Sequence, residues 1–174
     1  MSILPTLPEP LADSAVLGIP FIPLVTDIFF GILCLIIILV FHGSLINHII
    51  MRFDKKTDTN LRLGQYNRVF VHFYVSFFYI ALVHICEIIL WSFFILGLGL
   101  MSNGVQALLF AGSCYTTVGF IADTLPVGWK SLAFFIAFTG LFSLAWTTSV
   151  MIGMTNAYKS AWDLKYRRDD PTSF

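Results

Sequence analysis

Gly112-Ser113-Cys114-Tyr115-Thr116-Thr117-Val118-Gly119-Phe120-Ile121-Ala122-Asp123 follows a short apolar run, Val105 to Ala111. Much longer apolar runs lie on both sides of it. Seven helical residues extend roughly 10 Å, and a bilayer core is about 30 Å thick. The short run therefore cannot cross a membrane that its neighbours can. If the neighbours span, the segment from Asn103 to Lys130 starts and ends on one face. It is either a surface loop or a re-entrant one, and that choice decides the fold.

The neighbours do read as spans. Of the 174 residues, 57% are hydrophobic and 11% charged, well under the roughly 25% of soluble domains. Ile28 to Met51 has only His42 and His48 as ionisable side chains apart from its cysteine. Val69 to Met101 has His72, His84 and Glu87 besides Cys86 and its tyrosines, and Ser131 to Tyr158 carries no acid, base or histidine. Each exceeds the roughly 20 residues a spanning helix needs. Three spans leave no room for a separate soluble domain.

Net charge is zero, but the charges are not evenly placed. Arg52, Lys55, Lys56, Arg62 and Arg68 lie between the first two spans, and Lys159, Lys165, Arg167 and Arg168 follow the third. Glu9, Asp13 and Asp27 precede the first span, without Lys or Arg. The positive-inside rule puts the middle loop and C-terminus in the cytoplasm and the N-terminus outside. No secretory leader is expected, because a basic first region is lacking and Pro5, Pro8, Pro10, Pro20 and Pro23 break the apolar stretch. Cys34, Cys86 and Cys114 are scattered, with no CxxC, and read as reduced packing residues.

Ser102 or Asn103 can cap a helix over the short run, and the polar residues Ser113 to Thr117 would end it. Re-entry would aim that helix's C-terminus at the bilayer centre, where its partial negative charge favours a cation. Irregular backbone at that depth must be buried in protein or line water. Thr-Val-Gly then has a physical use. Successive carbonyls can replace an ion's hydration shell, a Thr hydroxyl adds an oxygen, and Gly permits the backbone angles.

Span, short helix, Thr116-Thr117-Val118-Gly119-Phe120, span: the order resembles the pore module of the potassium-channel superfamily, in the two-helix form found in many small bacterial membrane proteins. The resemblance runs from Val83 to Met154, with the first span extra. His84-Ile85-Cys86-Glu87-Ile88-Ile89-Leu90-Trp91 resembles the outer-helix pattern of a group of small bacterial pore-loop proteins. The resemblance implies an ion filter at Thr116 to Phe120, a monovalent cation as the permeant species, and a bacterial cytoplasmic membrane. One chain supplies one loop, so a homotetramer is implied if the protein conducts. In the superfamily a second glycine follows the aromatic residue. Here Ile121 takes that place, and the acidic residue of the outer mouth is displaced by one, to Asp123. A β-branched side chain does not fit the conformation that glycine adopts, so weakened preference for potassium over sodium is expected. The alternative is a non-conducting relative, an accessory subunit among other membrane subunits.

Thr139, Ser143 and Thr147 share one face of the last span. They could wet a cavity wall, or bond their own backbone and pack closely. Gly140 lies where the resembling family often has a hinge. Glu87 is the one acid deep in a span, and it should face protein or water rather than lipid. With His84 and Trp91 it shares a helix face. It is either half of an ion-sensing pair or a hydrogen-bonding scaffold that holds the filter loop; the resembling group implies the scaffold. His42 and His48 do not share a face, and His42, His48 and His72 lack carboxylate or cysteine partners at ligand spacing, so no metal or other cofactor is expected.

GxSxG, HExxH and P-loop patterns are absent, so the sequence gives no support for an enzyme. The basic stretch reads as a topology determinant against anionic membrane lipid, not a nucleic-acid site. The expected fold is all-α: a Pro-rich segment 1–26, a first transmembrane helix 27–51, a basic loop 52–68, an outer helix 69–101, a pore helix and filter 103–123, an inner helix 131–158 and a tail 159–174.

Overall fold

The structure is a computed structural model, described here over residues 21–120 and 125–166. Helix makes up 85% of the described residues, and they contain no strand. There are four helices: α1 (Phe21–Arg62), α2 (Tyr66–Gly97), α3 (Gly104–Tyr115) and α4 (Leu132–Tyr166). Three of them, α1, α2 and α4, are long and apolar enough to cross a membrane.

The helix boundaries follow local chemistry. Pro23 sits in the first turn of α1, where a missing N–H costs nothing. The charges at Arg52 to Asp58 do not end α1, which continues to Arg62. The expected loop 52–68 is therefore mostly helix, and the connection is only Leu63 to Gln65. Gly64, at φ +67°, makes the stop; Gln65 N–H then bonds the Asn60 carbonyl at 2.8 Å, in the manner of a glycine C-cap. Gly99, at φ +69°, ends α2 in the same way, with Leu100 N–H on the Ile95 carbonyl at 3.1 Å. Asn103 caps α3, its side chain accepting from the N–H groups of Val105 (2.9 Å) and Gln106 (3.2 Å). Twelve residues make α3 about 18 Å long.

Helix α1 packs on α2 and α4, and α3 packs on the same two helices. Small residues allow the closest approaches: Gly31 lies under the Phe135 ring and Gly43 under Trp146. One apolar cluster joins all four helices through residues such as Cys34, Ile38, Trp91, Phe110, Tyr115 and Ile136. Nearer the basic end, Ile46, Phe53, Ile80 and Met154 form a second cluster. Phe70, Phe73, Tyr74, Tyr158 and Trp162 gather beyond it. Amphipathic rings at that level suit a membrane–water boundary. Outward faces of the long helices stay apolar, with Phe29, Ile36, Val40, Phe78, Phe93 and Phe134 exposed. Asp27, expected at the edge of the first span, lies inside α1 and is buried. Its Oδ2 accepts from Ser131 N–H at 2.9 Å and from the Ser131 hydroxyl, at the start of α4.

Candidate functional site

Two features meet at the end of α3. The first is the stretch that follows it. Thr116 and Thr117 close the helix: Thr116 N–H bonds the Gly112 carbonyl at 3.0 Å, and Thr117 N–H bonds Cys114 at 2.9 Å. The Thr116 hydroxyl also turns back, donating to the Gly112 carbonyl at 2.7 Å. Thr117 then adopts φ +61°, a left-handed conformation that a β-branched residue avoids. Such backbone costs about 1–3 kcal/mol and persists only where its surroundings hold it. Gly119, at φ +67°, repeats the turn without a Cβ penalty. Its N–H returns to the Ser113 carbonyl at 3.0 Å, and Phe120 N–H returns to the Ser113 hydroxyl at 3.1 Å.

These bonds fix the carbonyl directions. In a trans peptide unit the N–H and C=O point opposite ways, and no described peptide is cis. The N–H groups of residues 117, 119 and 120 point into α3. The carbonyls of Thr116, Val118 and Gly119 therefore turn away from it. The loop itself is open, with Val118 67% and Phe120 66% exposed. Ile121 and Asp123, the expected outer mouth, lie outside the described residues.

The second feature is a closed circuit of side chains behind that loop, drawn from all four helices. Tyr115, at the last turn of α3, donates to Glu87 Oε2 at 2.6 Å. Glu87 Oε1 lies 2.5 Å from His42 Nδ1 on α1. His42 Nε2 is 3.5 Å from the Thr147 hydroxyl on α4. Thr147 is 3.1 Å from His84 Nε2, and His84 Nδ1 is 2.7 Å from the Tyr115 hydroxyl. With Tyr115 donating to Glu87, His84 must donate to Tyr115 from Nδ1, and its Nε2 accepts from Thr147. Thr147 oxygen is then left to accept from His42 Nε2–H. Every polar atom in the circuit has a partner, as a buried site requires; His42 and Glu87 are both 0% exposed.

The other sequence-designated residues, Ile121 and Asp123 apart, have places in the protomer. His84 and Glu87 bond the end of α3, and Trp91 is buried against Ala107 and Phe110 in the joint core. Thr139, Ser143 and Thr147 form a buried face turned into the protomer. Thr139 donates to its own Phe135 carbonyl at 2.8 Å, while Thr147 joins the circuit. Gly140 lies within the unbroken α4, facing the backbone of Tyr115.

His42 does have the carboxylate partner that sequence spacing denied it. The ligand atoms of His42, His84 and Glu87 lie within 4.8 Å of one another, close enough to be tested against a metal. The 2.5 Å between His42 Nδ1 and Glu87 Oε1 is a hydrogen-bonding distance, shorter than the roughly 3.3 Å between two ligands of a tetrahedral zinc with bonds near 2.0–2.1 Å.

Comparison with family models, with characterised proteins and with solved structures finds no match to this chain. The likeness to potassium-channel pore modules therefore rests on the residues alone.

Proposed function

We propose that the chain is a subunit of a potassium-channel-like cation channel. Helix α3 is the re-entrant pore helix, Thr116 to Phe120 the filter, and four copies surround the ion path. What carries this reading is the direction of the loop's peptide groups. Their N–H groups are consumed by Ser113 and Cys114, so a row of carbonyls is left facing away from α3, on an exposed loop. Outward carbonyls at membrane depth need a partner that a single protomer lacks, and a dehydrated cation is one. The tense backbone at Thr117 fits the same reading, since strained residues gather where a ligand is clamped. The C-terminal end of α3 adds its dipole. The circuit around Glu87 acts as scaffold, tying the last residue of the pore helix to α1, α2 and α4. In this reading the protein lies in a bacterial cytoplasmic membrane with its basic ends inside.

A second reading, a non-conducting accessory subunit, is favoured by one observation: Ile121 stands where the resembling pore modules carry glycine. One experiment separates the two. The protein solubilised in mild detergent is weighed, then reconstituted for potassium and sodium flux. A four-chain mass with cation flux supports the channel. A monomer, or a fixed place in a complex of other chains, together with silent liposomes, removes it.

A further inference from the structure

Away from the pore loop, α1 and α2 leave a groove of about 360 Å³ between them. Its composition changes along its length. At the end nearest the α1–α2 turn it is lined by Arg52, Lys56 and His72. Deeper in, the lining becomes largely apolar, with Leu45, Ile49, Val75, Leu82 and Val83 beside His48. His48, Arg52 and Lys56 are spaced by four, so they stand on one face of α1. Lys56 is six residues before the end of α1 and His72 six after the start of α2, which sets them level across the groove. From His72 to Cys86, the last lining residue, is about 21 Å along the helix. One leaflet of hydrocarbon is about 15 Å deep, half the bilayer core.

The basic end is electrostatically unbalanced. Arg52, Lys56 and His72 line it together, and the field of Lys56, Arg68 and Arg52 reaches His72. Two cations at i and i+4 repel each other, and no acidic side chain lines the groove among the described residues. Neither Arg52 nor Lys56 is ion-paired with a described residue; the nearby surface pair on α1 is Arg62 with Asp58, at 2.9 Å. The apolar part is open sideways, where Val75, Tyr79 and Leu82 remain exposed on the outer face of α2. An occupant must therefore be anionic at one end, apolar over the length of a leaflet, and able to enter laterally from the membrane.

We propose that this groove binds one anionic phospholipid. Its phosphate sits between Arg52, Lys56 and His72, and one acyl chain lies along Ile49, Val75, Leu82 and Val83. The site bridges α1 to α2, so the lipid fastens the first helix to the rest of the protomer from the basic side. Nothing in the assignment depends on whether the protein conducts.

The test is native mass spectrometry of the full chain in a neutral maltoside detergent, titrated with phosphatidylglycerol, phosphatidylcholine or inorganic phosphate. Phosphatidylglycerol should be retained in preference to phosphatidylcholine, and inorganic phosphate should not compete it off at equal concentration. Arg52→Gln with Lys56→Gln should weaken phosphatidylglycerol about thirtyfold, at roughly fivefold per cation near a membrane surface. Leu82→Trp keeps the cations and fills the apolar channel, and it should weaken binding as well. Equal retention of the two lipids overturns the proposal, as does unchanged binding by the double variant. If Leu82→Trp binds like the wild type, the groove is not the site. If phosphate alone displaces the lipid, the site is one for a free anion.

Discussion

Gly140 faces the backbone of Tyr115 so closely that a methyl placed on it would lie 2.1 Å from the Tyr115 carbonyl oxygen and 2.9 Å from its carbon. Backbone atoms cannot step aside as a flexible side chain can. The missing Cβ on α4 is what lets the end of α3 come to rest against it. Gly140→Ala should therefore cost more than the roughly 1–3 kcal/mol of ordinary overpacking. Thermal unfolding in detergent measures this. Gly153→Ala is the control, since a Cβ there meets nothing within 4 Å, and it should be neutral or slightly stabilising in a helix. Equal melting temperatures for the two variants would show that Gly140 does not work by close approach.

The buried circuit makes a different demand. Glu87→Ala leaves His42 and Tyr115 with polar atoms aimed at an empty apolar space, a loss of about 3–5 kcal/mol for a broken buried pair. Glu87→Gln still accepts from Tyr115 and still offers His42 a neutral partner, so about 1 kcal/mol is expected. The ratio between the two variants is the informative quantity. If glutamine and alanine destabilise alike, the carboxylate is not held as the structure has it.

Much of this was legible in the sequence because it follows from length and charge. Three apolar runs longer than a bilayer are helices almost by necessity, and the short fourth run could not be a span. Charge does not mark the end of α1. Arg52 to Asp58 are soluble residues on a helix that has left the apolar zone, and the true stop is Gly64, a glycine at left-handed φ. The pairing of His42 with Glu87 was hidden because it joins two helices. A signal existed in the register: His42 is twenty residues before the end of α1, and Glu87 is twenty-one after the start of α2. With a three-residue turn between them, those positions fall level. The direction of the Thr139 face was not legible, since hydroxyls at that spacing suit water and protein alike.

Asp27 offers a test of how α1 is held at the other end. Its carboxylate accepts from the N–H and hydroxyl of Ser131, at the start of α4. An acid there satisfies free helix N–H groups and complements the helix dipole. Asp27→Ala should lower stability by about 1–2 kcal/mol, the usual cost of losing a cap. Asp27→Asn retains an acceptor and should lose only the smaller charge contribution, about 0.3–1 kcal/mol. Thermal unfolding in detergent ranks the two. An alanine variant as stable as the wild type would mean that α4 starts without help from α1.

Ser113 is the residue through which the proposed filter geometry can be tested apart from the fold. Its hydroxyl accepts from Phe120 N–H at 3.1 Å, and its carbonyl accepts from Gly119 N–H at 3.0 Å. Ser113→Ala removes the first bond and keeps the second. Phe120 is exposed, so its freed N–H finds other partners, and stability should change by no more than about 1 kcal/mol. The peptide unit between Gly119 and Phe120 is then free to swing, and the Gly119 carbonyl loses its fixed direction. In liposomes the ratio of potassium to sodium flux should fall toward one, while the melting temperature stays near that of the wild type. Ser113→Thr keeps a hydroxyl and should restore the ratio. An alanine variant with an unchanged ratio would mean that the outer carbonyls are aimed by something other than Ser113, and the assignment of Gly119 to the filter would have to be withdrawn.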